Sequence, residues 1–235
     1  MKNLWACFWQ KDAGGFEQMM RVTSNYFFKK LRKKIPTKEQ EHILDIGCGP
    51  GLIAEHFAKG PSTVFYLGMD ISETYLKQCK QKFDNRSVFD FQAIDAENYL
   101  DFVALAGKSF STVLVMSVIQ YYRNIGEVET LITNLKKHIK KGGTLIIADI
   151  IVEKGKLRDI ARLAWKSVLN GFFITFARFI LYARFSAYYK SRQDLGLLTV
   201  SVTDLQNIIQ KLGLKAEIVD NLTANPERKS LLIYM

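Results

Sequence analysis

Ile43-Leu44-Asp45-Ile46-Gly47-Cys48-Gly49-Pro50-Gly51-Leu52 is the stretch on which the reading of this chain turns. His42–Ile46 is short, apolar and rich in β-formers, as a buried strand requires, and Leu52–Lys59 has the spacing of a helix. Between them, three glycines allow a sharp turn and a close approach of a ligand to the backbone amides. A glycine run of this kind also occurs as a plain structural turn, so its surroundings must decide.

Working outward, the pattern alternates strand with helix. Val64–Met69 is predicted as a strand, Glu73–Phe83 as a helix capped by Ser72, and Val88–Phe91 as a weaker strand leading into a connector through Asp95–Tyr99. Ser111–Met116 follows as a strand, Glu127–Ile139 as a helix, and Thr144–Ile151 as a strong strand introduced by Gly142 and Gly143. Val202–Leu212 is a further helix, and Lys215–Val219 and Ser230–Tyr234 are strands that can pair antiparallel at an edge. Short apolar strands separated by helices imply a mostly parallel sheet covered on both faces, with a ligand crevice at the carboxyl ends of the strands. The expected class is therefore α/β, a Rossmann-like seven-stranded sheet with a helical insertion before the last two strands.

The domain plan has two parts. Residues 1–40 form a basic helical segment, Phe16–Lys34 at its centre, ended by Pro36 and expected to cover cofactor or substrate. Residues 41–235 form the main domain, interrupted by a helical lid over 154–198. Within that lid an aromatic run, Phe172 to Tyr189, is broken up by Arg178, Arg184 and other cations. It suits a roof over an apolar pocket, a homodimer surface, or a seat on an anionic membrane surface. Trp5, Phe8 and Trp9 add a smaller aromatic feature that can pack on the insertion or act as an interfacial anchor.

Charge supports the same division. The net charge is +10 in 235 residues, and residues 1–41 and 151–198 together contribute +11, so the core between them is near neutral. Such a surface fits a soluble face, an anionic substrate, a lipid headgroup or nucleic acid. The last is disfavoured because no nucleic-acid motif accompanies it. The three cysteines are widely spaced and suggest free thiols in a reducing compartment. Leu4–Trp9 is too short for a signal peptide's apolar region, and no run of spanning length is free of charge. The expected location is cytoplasmic, with peripheral contact at the inner membrane surface open to the basic insertion.

Asp70, 25 residues after Asp45, ends the second predicted strand. A carboxylate there can accept both hydrogens of a ribose diol, or simply stand near a helix start. With the glycine loop, Asp70 and the Asp95-Ala96-Glu97 connector on one chain, together with Lys141-Gly142-Gly143 entering strand five, the sequence resembles the class I S-adenosylmethionine-dependent methyltransferases from about Glu41 to Ile151.

That resemblance implies S-adenosylmethionine as methyl donor and S-adenosylhomocysteine as product. It assigns Asp45 to the methionine amino group, and Gly47, Gly49 and Gly51, with Cys48 in the same loop, to the methionyl-ribose part. Asp70 would take the ribose hydroxyls, Ile71 the adenine face, Asp95 the adenine amino group and the Ala96 amide a ring nitrogen. Ser117 would face cofactor and acceptor. Tyr26 can close the pocket from the preceding helix or sit in the core.

For catalysis the candidates are Ser117, Tyr121 and Asp149, with Gln120 and Tyr122 open as pocket lining. Related enzymes acting on phenols place a histidine base after strand four or five, whereas Gln120-Tyr121-Tyr122 and Asp149 stand there in this chain. His42, His56 and His138 are expected to be structural or exposed. The predicted acceptor is a small apolar or aromatic molecule, lipid-like or quinone-like forms included, methylated on O, N or C. A protein or RNA methyltransferase and a non-catalytic cofactor-binding scaffold are the alternatives, and no metal site is expected.

Overall fold

The computed structural model describes residues 4–11, 17–36, 40–60, 63–152 and 187–235. The insertion over 154–198 lies largely outside these residues; only its exit, from 187 onward, is described. Two helices come first, α1 (Leu4–Lys11) and α2 (Glu17–Lys34). β1 (Glu41–Ile46), α3 (Leu52–Ala58), β2 (Val64–Asp70), α4 (Glu73–Lys82) and β3 (Phe89–Ala93) follow. Then come β4 (Phe110–Met116), α5 (Ile125–Lys136), β5 (Ile139–Ile151), α6 (Ala187–Leu195), α7 (Val202–Lys211), β6 (Lys215–Asp220) and β7 (Arg228–Tyr234).

One seven-stranded sheet takes them in the order β3-β2-β1-β4-β5-β7-β6. The pairs among β1 to β5 are parallel, while β7 runs antiparallel to both β5 and β6. After β3 the chain crosses to the other side of β1, so the order reverses between β1 and β4. That reversal opens the crevice in which ligands of doubly wound sheets sit.

Alternation along each buried strand builds two apolar layers. Leu44 and Ile46 face one layer with Val113, Val115, Leu131, Leu135, Leu205 and Ile208; Ile43 faces the other with Phe27, Leu31, Phe57, Tyr66 and Leu76. Helices α5 and α7 thus cover one face and α2, α3 and α4 the other. Helix α2 is also tied to the sheet by Arg32, whose two terminal nitrogens donate to the buried Glu41 carboxylate at 2.7 and 2.6 Å. Among the described residues no helix is long and apolar enough to cross a membrane.

The structure corrects several boundaries. Gly142 and Gly143 do not introduce β5 but lie inside it, where the pairing with β4 shifts register between Phe110 and Thr112. A Cβ on Gly143 would stand 2.8 Å from the Lys140 carbonyl oxygen, so glycine there lets the irregular strand pack closely. Helix α5 starts at Ile125 rather than Glu127, because Asn124 is the cap and accepts from the Glu127 amide at 3.2 Å. β3 runs on to Ala93 and β7 starts at Arg228, both longer than their sequences suggest. Helix α1 is new: Trp5 is buried, and its indole Nε1 donates to the Gly196 carbonyl at 2.9 Å, pinning the helix beside α6.

Candidate active site

The crevice begins at the glycine loop. Gly47, Gly49 and Gly51 all have positive φ, at 73°, 53° and 75°. The three differ in what surrounds them. A Cβ on Gly47 would meet Val118 at 2.4 Å and one on Gly51 would meet Cys79 at 2.9 Å, so those two glycines are required by packing. A Cβ on Gly49 would meet nothing within 4 Å, and Gly49 lines the cleft. Space is therefore kept for a ligand above Gly49, where the backbone is bare.

Asp70 is the anchor of this end. Its carboxylate accepts from the Gly49 and Ser72 amides, each at 2.8 Å, which joins the loop to the start of α4. Burial pushes the Asp70 carboxyl up, and those amide bonds pull it back toward the ionised form. Two amides leave a carboxylate about half its accepting capacity, enough for a vicinal diol. Ile71, Tyr75 and Ile94 add an apolar wall suited to a flat base. The donor set, the bare loop and the wall fit S-adenosylmethionine.

Part of the same cleft's lining is aromatic. Tyr99, Tyr121, Tyr122 and Trp9 supply it, and Met20, Met116, Ser117 and Val118 line the same cleft. Each ring is held from behind. The Tyr99 hydroxyl donates to the buried Glu127 carboxylate at 2.6 Å, and its ring lies 5.4 Å from that of Tyr122. Tyr121 packs between Trp5 and Trp9, at 5.0 and 5.4 Å. Burial raises the Tyr122 hydroxyl well beyond the ordinary phenol range, so this ring is neutral.

At the strand ends Ser117 and Asp149 both carry positive φ, 57° and 65°, and the Ser117 hydroxyl donates to Asp149 Oδ2 at 2.7 Å. Arg228 Nε lies 3.8 Å from the other carboxylate oxygen.

Of the residues singled out in the sequence, Gly47, Gly49, Asp70, Ile71, Ser117 and Tyr121 come together in the cleft wall, as does Tyr122. The others stand elsewhere. Asp45 turns into the core and accepts from the Tyr66 hydroxyl. Burial, with the nearby Asp70 charge adding to it and the Tyr66 bond opposing, raises the Asp45 carboxyl to about 7. The Cys48 side chain packs behind the loop, and its thiol is pushed up by hydrogen bonding with Cys79 and by burial, which leaves no reactive thiolate. Gly51 packs on Cys79 and Phe83.

Asp95 is exposed and caps its own turn, accepting from the Glu97 amide at 2.9 Å and Asn98 Nδ2 at 3.0 Å. Ala96 is buried outside the lining, and the neighbouring Ile94 lines the cleft. Tyr26 lies under Lys30 and does not line the cleft, and Gln120 is buried away from it. Asp149 reaches the cleft only through Ser117. None of His42, His56 and His138 lines it. Trp9, Tyr99, Ile94 and Met20 went unnoticed in this role, and the one sequence signal for Tyr99 is its place just after the Asp95 connector.

Comparison with known proteins agrees with this geometry. Residues 43–143 match the family described as a methyltransferase domain. The ubiquinone biosynthesis O-methyltransferase of Brucella ovis is 33% identical over 167 residues, covering 59% of this chain and 64% of that protein. The Agrobacterium fabrum protein of the same name is 34% identical over 129 residues, covering 54% and 48%. The chain thus spans about half the length of the curated relatives it matches.

Among solved structures, an O-methyltransferase of Nostoc punctiforme superposes with a TM-score of 0.61 at 14% identity, covering 97% of this chain and 60% of that one. The N-methyltransferase NodS of Bradyrhizobium japonicum gives 0.55 at 15%, covering 93% and 96%; at these identities the likeness is one of fold. Across residues 43–143 the chain is similar to methyltransferase domains, and its sheet order and glycine loop agree with that likeness. Its cofactor is S-adenosylmethionine.

Proposed function

We propose that this protein transfers the methyl group of S-adenosylmethionine to a hydroxyl oxygen of a small, largely apolar aromatic acceptor. One observation carries the reading: a single cleft is lined both by the bare Gly49 and the Asp70 carboxylate and by Tyr99, Tyr121, Tyr122 and Trp9, which we take as its cofactor end and its acceptor end. The glycine loop and Asp70 hold the donor. The aromatic end stacks a flat acceptor and excludes water from it.

A sulfonium methyl is already activated, so the protein's task is alignment of the acceptor oxygen with the methyl carbon and sulfur. The names of the curated relatives support oxygen as the receiving atom. Incubation with S-adenosylmethionine carrying a deuterated methyl group and catechol, followed by mass spectrometry, tests this. The expected result is a deuterated methyl ether together with S-adenosylhomocysteine. Label found on nitrogen or carbon acceptors from a matched panel, with none on catechol, would overturn it.

A further inference from the structure

Two residues, Ser117 in the cleft wall and Asp149 behind it, are held in a backbone conformation that residues other than glycine rarely adopt. Ser117 follows β4 with φ 57°, and Asp149 lies in β5 with φ 65°. Left-handed backbone at a non-glycine residue costs about 1 kcal/mol or more and persists where its surroundings enforce it, often at functional sites. Here the enforcement is visible. Pairing of β5 with β7 shifts register between Ile147 and Ile150, so Ala148 and Asp149 together oppose Ser230, a β-bulge that turns the Asp149 side chain toward β4. The Ser117 amide donates to the Ala148 carbonyl at 3.1 Å, which fixes the approach from the other side.

The result is a short chain of polar groups in a half-buried setting. Ser117 lines the cleft, its hydroxyl donates to Asp149 Oδ2 at 2.7 Å, and Arg228 Nε stands 3.8 Å from Oδ1. The geometry points to a proton relay in which Ser117 takes the acceptor's hydroxyl proton as it passes its own to Asp149, with Arg228 steadying the carboxylate. This rests on the hydroxyl-acceptor reading above. As the acceptor oxygen forms its bond to the methyl carbon, the carbon–sulfur bond breaks and its electron pair leaves with sulfur. The acceptor proton moves to Ser117 Oγ, the Ser117 proton moves to Asp149 Oδ2, and that proton is later lost to water.

Among the described residues the groups facing Asp149 are Ser117 on the β4 side and Arg228 on β7. Burial lifts the Asp149 carboxyl above its ordinary range, against the pull of Arg228 and the Ser117 hydroxyl, so it suits a base better than a free aspartate would. Among the described residues no histidine lines the cleft, so the relay assigns proton acceptance to this pair.

The test uses the full chain with S-adenosylhomocysteine or S-adenosylmethionine, and catechol as the probe acceptor. Asp149→Asn and Ser117→Gly both suit left-handed backbone, so folding is retained. Each is expected to lower kcat roughly 100-fold while leaving the Kd for S-adenosylhomocysteine within about twofold, and the double variant is expected to lose little more. Arg228→Met is expected to move the acid limb of the kcat profile up by roughly one pH unit.

Infrared difference spectra of the S-adenosylhomocysteine complex, wild type against Asp149→Asn, supply a readout that needs no turnover. A protonated-carboxyl band that titrates above the ordinary aspartate range and moves higher in Arg228→Met is the expected result. An unchanged kcat in Asp149→Asn, an acid limb unmoved in Arg228→Met, or a band titrating as a free aspartate would overturn the relay. Should wild type label only nitrogen or carbon acceptors of the panel, the hydroxyl-acceptor reading fails and the relay falls with it, whereas a band titrating as a free aspartate in a protein that methylates catechol overturns the relay alone.

Discussion

The two ends of the cleft are built by different means. At the cofactor end the backbone does the shaping: three glycines at positive φ, two amides on Asp70, and a stretch of open space where Gly49 has no side chain. At the acceptor end side chains do it, with Trp9 from α1, Tyr99 from a connector, Tyr121 from a 3-10 turn and Tyr122 just after it, while Ser117 in the cleft wall and Asp149 behind it are held in conformations that glycine would adopt freely. A backbone cradle leaves a local signature in the sequence, whereas of the side-chain wall only Ser117, Tyr121 and Tyr122 stand out there, by their place after strand four. The donor is therefore read from one motif, while the parts Trp9 and Tyr99 play are read only from the fold.

The sharpest break of this contrast lies within the loop itself. Gly47→Ala places a methyl 2.4 Å from Val118 at positive φ, and is expected to cost about 3 kcal/mol of stability, seen as a lower midpoint in urea unfolding. Gly49→Ala meets no neighbour and is expected to cost only about 1 kcal/mol, yet to weaken S-adenosylhomocysteine binding by more than roughly tenfold, because its methyl fills the ligand's space. Equal stability losses in the two variants would remove the distinction between packing glycine and ligand glycine.

A second test concerns Asp45, which belongs to the loop in sequence but to the core in space. Its folded-state carboxyl keeps a proton up to about pH 7, while an unfolded aspartate releases it near pH 4. The folded state is thus favoured at low pH by this group, and that contribution is lost as pH rises from about 4 to 7. Asp45→Asn is expected to remove a decline on the order of 2 kcal/mol from the pH dependence of unfolding across that window. Parallel stability curves for the two proteins would place an ionised Asp45 outside the core.

The smallest expected effect is at the aromatic end. Tyr99→Phe keeps the ring and loses the bond to Glu127, which still binds the Arg123 amide at 2.9 Å. The expected cost is about 1 kcal/mol, measured by thermal unfolding, with cofactor affinity unchanged. A larger loss confined to cofactor binding would tie Tyr99 to the wrong end.

What the sequence conveys follows the same division. Short apolar strands, the Ser72 cap and the glycine loop are local features, and each stands where its residues indicate. Around Asp95 the sequence conveys less: β3 extends to Ala93, the Ile94 amide donates to the Asp70 carbonyl, and Ile94 lines the cleft while Asp95 is exposed beside it. Helix α1 is illegible because a few tertiary contacts, chiefly the Trp5 bond to Gly196, make it. Nor does any residue type announce positive φ at Ser117 and Asp149, since a bulge against β7 imposes it on Asp149 from outside the local sequence.

The most direct test of the central claim, one cleft with a cofactor end and an acceptor end, is calorimetric titration of S-adenosylhomocysteine into Asp70→Ala and Tyr121→Ala. The account predicts roughly 100-fold weaker binding in the first and wild-type binding in the second. Unchanged affinity in Asp70→Ala, or an equal loss in both, would contradict it.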